Sequence, residues 1–287
     1  MAEIIFQTKM DAIKFYNHLL KSLNDHFDNE NILLIEDRHI VKIMEGVASE
    51  QFFTNVKNAF YEFITKIKQD DWFRDILMNQ FYYEDPEEQQ QIIEIIYSIQ
   101  EGQREDLSVF LKHPKEGLNI RAAIDHVFQE NVSFSFDSFV KFRLRSYLKH
   151  LTNYVEISID EYKMEQEYQM FVQMLRDFLV GRDPKFQVIH LLFDEEITFY
   201  NGQLEEIKRS ELTKLIDRKL LVNHPVYVDS VTIAPLLSIA PTTIFLYTKD
   251  TEAPLIRTIN NIFEERVIIK PYELFWEKSA YSSENHA

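Results

Sequence analysis

The sequence contains no cysteine, which excludes disulfides, thiolate nucleophiles and cysteine-ligated zinc or iron–sulfur sites. Glycine is also scarce, with five residues at positions 46, 102, 117, 181 and 202. None of them belongs to GxxxxGK[ST] or GxGxxG, the loops whose backbone amides bind nucleotide phosphates. The G-x-S-x-G elbow of many hydrolases is absent as well. The chain therefore lacks the P-loop, Rossmann and nucleophile-elbow patterns, and its cysteine usage fits a reducing compartment.

Two segments, the N-terminus and a long uncharged run, were considered as possible signal or membrane segments, and neither fits. The N-terminus, MAEIIFQTKMDAIKFY, lacks the basic leader and apolar run of a signal peptide. An uncharged run of 19 residues, 230–248, is about long enough to span a bilayer as a helix. However, Pro235 and Pro241 interrupt it, and six serine or threonine residues dilute it. A buried helix followed by a core strand is the better interpretation, so we expect a soluble, cytoplasmic protein with no membrane span.

Positive charge is in short supply, because 31 lysines and arginines face 47 aspartates and glutamates, a formal net charge of −16. Such a field repels phosphates and disfavours general binding to nucleic acid or to anionic membranes. The chain is 45% hydrophobic and 27% charged, which is typical of a globular protein. Its 287 residues can bury a substantial core, which we expect the 14% of aromatic residues to fill.

Hydrophobic periodicity predicts a mixed α+β fold, with a largely helical middle and small sheet elements at the N- and C-terminal ends. Residues 1–48 read as a β-α-β-β unit. Residues 49–182 are almost entirely helical and include a long helix, or two nearly continuous ones, over 139–180. Residues 185–278 read as an α/β region, and 279–287 as a frayed tail. The patterns do not decide whether the two sets of strands pair into one sheet.

Three local signals predict how individual elements begin, turn or end. Gly181 is expected to cap the end of the long central helix. Asn201 and Gly202, between two short strand patterns, favour a type I′ hairpin turn, in which both central residues need a positive φ. Ser210 is a candidate N-cap for a following short helix.

One stretch, FVKFRLRSYLK, is basic within this acidic chain. Its four basic residues are Lys141, Arg143, Arg145 and Lys149. On one continuous helix, Lys141, Arg145 and Lys149 would form a stripe at i, i+4 and i+8. Mostly acidic residues follow between 156 and 167, whereas a helix dipole prefers acids first. This order indicates a partner for the basic end, and the four residues are our candidate interaction site.

Three kinds of partner fit this basic stretch. We favour an acidic surface of the same chain, such as Glu84–Glu88. The second hypothesis is an acidic protein or a second copy of the chain. The third is nucleic acid or phosphate, which we disfavour because four positive side chains make a small footprint on so acidic a protein.

The remaining polar residues predict no cofactor. None of the nine histidines forms HExxH or a close pair, and His190, inside an apolar strand pattern, reads as a core residue. The acidic clusters Glu84–Glu88 and Asp194–Glu196 read as a helix start and a solvated turn, although their carboxylates could bind a divalent cation. We therefore predict no catalytic, metal-binding or cofactor-binding residues.

The central segment FRLRSYLKHLTNYVEISIDEYKMEQEYQMFVQMLRDFL resembles the YtxC-like sporulation proteins of endospore-forming bacteria. The features that carry the resemblance are Phe142-Arg143-Leu144, Tyr147, Asp160-Glu161-Tyr162, Glu167-Tyr168, and Leu175-Arg176 followed by Phe178. The later segments SVTIAPLLSIAPTTIFLYT and NNIFEERVIIKPY are similar to the C-terminal part of that family. The resemblance implies a cytoplasmic protein associated with sporulation. It implies no established activity and no catalytic residues.

These observations predict a non-enzymatic protein-interaction or assembly factor of the sporulation programme, bound to a protein partner or to itself. The first alternative is a nucleic-acid-associated protein that uses the basic helix 141–149. The weaker alternative is a metal-assisted hydrolase built on the acidic clusters.

Overall fold

The computed structural model divides the chain into two compact units, Met1–Met164 and Glu165–Ala287. The described residues are 2–23, 31–44, 50–111, 116–129, 133–194, 196–217 and 231–284. The expected region boundary after residue 48, Glu195 of the second acidic cluster and the last three residues lie outside this described part.

Helices dominate the first unit. They are α1 (Lys9–Leu23), α2 (Glu50–Glu62), α3 (Gln69–Phe81), α4 (Pro86–Gln100), α5 (Glu105–Ser108), α6 (Glu116–Gln129) and α7 (Phe136–Arg143). A π-helix, Phe63–Lys68, joins α2 to α3. A long helix, α8 (Arg145–Leu179), begins in the first unit and ends in the second.

Four short strands form the sheet of the first unit: β1 (Ala2–Ile5), β2 (Ile32–Ile35), β3 (Ile40–Ile43) and β4 (Phe134–Ser135). Their order is β2-β3-β1-β4, with β4 parallel to β1 and the other pairs antiparallel. The order β1-α1-β2-β3 is the one that the sequence predicts. Strand β4 is not predicted from the sequence, because two residues are too few to show a period of two.

Phenylalanine rings fill the centre of this unit. Five of them, all at most 3% exposed, are joined by centroid distances of 5.1–6.0 Å: Phe6, Phe15, Phe60, Phe63 and Phe136. They come from the end of β1, from α1, from α2, from the π-helix and from α7. The aromatic residues therefore hold distant parts of the chain together.

The second unit contains a second four-stranded sheet and several short helices. The elements after α8 are β5 (Val188–Phe193), β6 (Ile197–Tyr200), α9 (Arg209–Leu215), α10 (Ile233–Ile239), β7 (Thr243–Thr248), α11 (Pro254–Phe263), β8 (Val267–Pro271) and α12 (Glu273–Glu284). The strand order is β6-β5-β7-β8, in which β5, β7 and β8 are parallel and β6 is antiparallel. The two sets of strands thus form separate sheets, and the predicted α+β fold is confirmed.

The two faces of the second sheet have different coverings. Leu191 and Leu246 face a core shared with the C-terminal part of α8 and with α9, α10 and α11. On the opposite face, Leu192 and Tyr247 pack against Phe275 of α12. Helix α12 runs on to Glu284, where the sequence predicted a frayed tail from residue 279. The completely buried ring of Phe275 anchors this helix to the sheet.

Within the uncharged run, Ile233–Ile239 form the buried helix α10 and Thr243–Thr248 form the core strand β7, as predicted. All seven side chains of α10 are buried. Within the described part of the chain, no helix combines the length and the apolar character needed to cross a membrane.

Two of the three local predictions are wrong. Gly202 does not take a positive φ; Leu204 does, at 63°. The turn is instead closed by Asn201, whose Oδ1 accepts the N–H groups of Gln203 (2.9 Å) and Glu205 (3.0 Å). Helix α9 begins after Lys208 without a side-chain cap, so Ser210 is not its N-cap.

The third local prediction is confirmed. Gly181 has a φ of 72°, in the left-handed region, immediately after the end of α8. Glycine adopts this conformation without a steric penalty, which is why it commonly terminates helices.

Candidate interaction site

A groove of about 650 Å³ lies on the surface of the first unit, between α3 and the junction of α7 with α8. Trp72, Val140 and Leu148 contribute apolar surface to it. Lys68, Lys141 and Arg145 contribute positive charge, and Asp137 is the single acid of the lining. Asp137 is already engaged, because its Oδ2 accepts the N–H of Gln7 at 3.0 Å. The groove therefore combines an apolar floor with a net positive rim.

The basic stretch forms two helices, because the chain breaks at Leu144. Helix α7 begins after Ser135, whose Oγ accepts the N–H of Ser138 at 3.3 Å. It ends at Leu144, which has the non-helical angles φ −107° and ψ 17° and is only 1% exposed. Of the two possibilities left open for 139–180, the structure has two nearly continuous helices.

This break explains part of the charge order that seemed unfavourable on one long helix. Lys141 and Arg143 lie in the last turn of α7, where the helix dipole favours cations. Arg145 is the first residue of α8, where the dipole opposes a cation, and Lys149 lies beyond the first turn. Arg145 is therefore the one cation of the basic stretch whose position a helix dipole disfavours.

A buried contact fixes the start of α8 against α3. The hydroxyl of Tyr147 donates a hydrogen bond to Oε1 of Gln69 at 3.1 Å, in a buried environment. The ring of Tyr147 also meets that of Trp72 edge to face, with centroids 6.2 Å apart. Because Tyr147 points inward, its neighbours Arg145 and Lys149 are left exposed.

All four predicted site residues, Lys141, Arg143, Arg145 and Lys149, are exposed. Lys141 and Arg145 line the groove, whereas Arg143 and Lys149 lie outside its lining. Across the described residues, none of the four forms an ion pair with an acidic side chain. The Nζ of Lys141 lies 5.8 Å from the centroid of the Phe142 ring.

The favoured hypothesis of an acidic partner within the chain is therefore wrong for Glu84–Glu88. In that segment Asp85 caps α4 by accepting the N–H groups of Glu87 (2.6 Å) and Glu88 (3.2 Å). Glu88 accepts a hydrogen bond from the hydroxyl of Tyr162 at 3.2 Å. The capping role expected of the cluster is confirmed, but none of its acids reaches the basic stretch.

Lys68 differs from the other cations of the groove, because it is paired. Its Nζ lies 2.9 Å from Oδ1 of Asp11 and 3.1 Å from Oδ2 of Asp71, and Lys14 also binds Asp71. Burial lowers the pKa of Lys68, but the hydrogen bonds to Asp11 and Asp71 outweigh burial and leave the pKa above its ordinary value. Lys68 is thus a fixed, internally compensated charge, and Lys141 and Arg145 supply the uncompensated charge.

The aromatic residues of this site are not predicted from the sequence. Trp72 reaches the groove from α3, and Phe142, between two basic residues, is 72% exposed. The exposed ring of Phe142 follows from helical spacing, because Phe139 and Val140 occupy the buried face. No sequence signal connects Trp72 with residues about seventy positions later, since only tertiary packing brings them together.

The other candidate residues have structural roles. His190 is buried, with its Nδ1 3.1 Å from the hydroxyl of Tyr247, so it is a core residue as predicted. Asp194 pairs with Lys249 at 3.2 Å, and Glu196 pairs with Arg209 at 3.2 Å. No group of three histidine, aspartate or glutamate side chains with metal-binding geometry occurs in the described ranges.

Comparison with known proteins places the chain in one family. A family model described as "YtxC-like family" matches residues 54–268. The chain is also 34% identical, over 275 residues, to a protein of Bacillus subtilis (strain 168) that bears the name "Uncharacterized protein YtxC". That alignment covers 96% of each of the two chains. No solved structure matches.

Proposed function

The chain belongs to the YtxC-like family, and from this premise we propose that it is a non-enzymatic protein-interaction factor of the sporulation programme, acting in the cytoplasm. The observation that carries the proposal is the groove beside the basic stretch. Lys141 and Arg145, which are exposed and have no ion-pair partner among the described residues, flank an apolar floor there. The link to sporulation rests on the family resemblance.

The composition of this groove suits a protein partner. Arginine and aromatic side chains are enriched at the centres of protein interfaces, where a well-packed pocket excludes water. Carboxylates of a partner would form charge-assisted hydrogen bonds with Lys141 and Arg145, which have no such partner within the described chain. An apolar side chain of the same partner would bury the exposed surface of Trp72 and Phe142. The groove therefore favours an acidic segment that also carries an apolar residue.

Nucleic acid is the competing partner, and charge reversal distinguishes the two. We expect the groove variant Lys141→Glu/Arg145→Glu to raise the Kd for short acidic peptides containing one phenylalanine at least about tenfold, because attraction becomes repulsion. The variant Arg143→Glu/Lys149→Glu changes the net charge equally but leaves the groove lining intact. It should raise the Kd by less than about threefold, through the long-range field alone. Fluorescence polarisation with labelled peptides measures both values.

The same assay with DNA and RNA oligonucleotides, at low and physiological salt, tests for a nucleic-acid site instead. A nucleic-acid site would read the summed charge of all four residues, so both variants would lose binding equally and wild-type binding would fall steeply with salt. That result, together with no peptide binding, would refute the proposal.

A further inference from the structure

The exposed end of α3 has an unusual residue at its cap. Tyr82 takes the left-handed conformation, with φ 61°, and the N–H of Tyr83 bonds to the carbonyl of Leu77 at 2.9 Å. Glycine is the usual residue at this position, because a side chain in the left-handed region is strained. The Tyr82 ring is 80% exposed and therefore gains almost no burial in return. Stability of the fold does not explain this tyrosine.

Two exposed acids, Glu84 and Glu87, follow Tyr82 closely in the chain. Glu84 and Glu87 are exposed, and neither has an ion-pair partner among the residues that the structure describes. Asp85 lies between these two acids, and the hydrogen bonds that its carboxylate accepts fix the backbone at the start of α4. We call Tyr82, Glu84 and Glu87 the acidic corner, which exposes one aromatic ring and two carboxylates without an ion-pair partner in the described chain.

The acidic corner and the groove are complementary in chemistry but cannot meet within one chain. The groove offers an apolar floor with the cations Lys141 and Arg145, and the corner offers a ring with two anions. None of these four charges has an ion-pair partner within the described ranges. Trp72 of the groove and Tyr82 of the corner lie ten residues apart along α3 and its cap, which is about 15 Å along the helix axis. Each surface is therefore available to another molecule.

We propose that the groove of one molecule binds the acidic corner of a second copy of the same chain, with Tyr82 packed against Trp72 and Phe142. This inference rests on the proposed function and names the partner. Two copies that each carry a net charge of −16 repel one another overall, so charge favours a contact in which a basic surface of one copy meets an acidic surface of the other. Glu84 and Glu87 of one copy, placed against Lys141 and Arg145 of the other, would form such a contact.

Charge exchange between the two surfaces tests the contact. Sedimentation velocity across micromolar to submillimolar concentrations should show reversible self-association of the wild type. The groove variant Lys141→Glu/Arg145→Glu and the corner variant Glu84→Lys/Glu87→Lys should each raise the dissociation constant at least about tenfold. An equimolar mixture should regain association, because one variant retains an intact corner and the other an intact groove. A chain carrying all four substitutions should regain it too.

A matched control removes the effect of net charge. The corner variant makes the chain less negative, which by itself would favour association. The variant Glu156→Lys/Glu167→Lys changes two exposed acids outside the corner by the same amount, and its association should be unchanged or slightly stronger. Association of the corner variant equal to that of this control would overturn the inference.

Replacement of Tyr82 by glycine separates binding from folding. Glycine relieves the strain at φ 61°, so the midpoint of urea unfolding should stay the same or rise. Self-association should nevertheless weaken at least about tenfold, because the ring that fills the groove is lost. If Tyr82 had a purely structural role, the substitution would lower the midpoint of urea unfolding and leave self-association unchanged.

Different results would refute the self-association and the proposed interaction function. If the wild type remains monomeric at all concentrations while its groove still binds acidic peptides of other sequences, the self-association is refuted and the interaction function stands. If the groove binds neither a second copy nor any acidic peptide, both are refuted.

Discussion

Replacing Phe60 by alanine should lower the free energy of unfolding of the first unit by about 3–5 kcal/mol. Phe60 is completely buried in α2. Its ring lies 5.4–6.0 Å from five other rings, those of Phe15, Phe128, Phe134, Phe136 and Phe139. Alanine would lose the transfer free energy of the ring and leave a cavity that five anchored neighbours cannot fill. Urea unfolding of the full-length chain measures the loss.

Phe142→Ala is the matched control for this prediction. It removes the same atoms from a ring that is 72% exposed, so it should change the free energy of unfolding by less than about 0.5 kcal/mol. Binding of acidic peptides by this variant should nevertheless weaken, because Phe142 lines the groove. Equal losses of stability in the two variants would contradict the assignment of Phe60 to the core and Phe142 to the surface.

The second unit should lose about 3 kcal/mol of stability between about pH 6.5 and pH 4, because of His190. Burial, followed by the nearby positive charges of Lys278 and Lys270, lowers the pKa of His190 from 6.5 to about 4. The ring stacks on Phe245 with centroids 5.0 Å apart, and its Nδ1 lies 3.1 Å from the hydroxyl oxygen of Tyr247.

The direction of this pH dependence follows from the two pKa values. Above pH 6.5 the imidazole is neutral in both the folded and the unfolded chain, and the contribution of His190 to stability is complete. As the pH falls below 6.5, the unfolded chain binds a proton that the folded chain does not bind until about pH 4. The unfolded state is therefore favoured progressively across this window.

A His190→Phe variant isolates this effect from the titration of the carboxylates. It should be less stable than the wild type at neutral pH by about 1–3 kcal/mol, because the Tyr247 hydroxyl loses its buried partner. Its free energy of unfolding should fall less steeply between pH 6.5 and pH 4 than that of the wild type. The comparison requires urea titrations of both chains at several pH values, and parallel pH profiles would contradict the prediction.

Sequence patterns predicted the elements whose signal is local. The apolar spacing of α1, the strands around Glu36–Arg38 and the buried pair α10 and β7 all follow from periodicity within a few residues. Gly181 was identified because a left-handed cap is a property of one residue. The turn at Asn201 was misjudged, because the side chain of Asn201 organises the backbone over five residues and shifts the left-handed conformation to Leu204.

The candidate site was predicted only in part, because some of its residues come together only through tertiary packing. The charges of Lys141 and Arg145 and their exposure follow from the sequence of the basic stretch. The groove also needs Trp72, which tertiary packing supplies through the contact between Tyr147 and Gln69. An ion pair likewise depends on the distance between two side chains in the fold, which the sequence does not give. The hypothesis that Glu84–Glu88 pairs with the basic stretch was wrong for this reason.

The sequence by itself determined the α+β class, the family and the absence of cysteine chemistry and of glycine-rich phosphate loops, because composition, periodicity and contiguous motifs are properties of the linear chain. Only the tertiary structure decided that the strands form two sheets, that the basic stretch breaks at Leu144, and that two of its four cations border an apolar groove. These features depend on contacts between residues far apart in the chain. Such contacts are set by how buried surfaces pack, which no local pattern encodes.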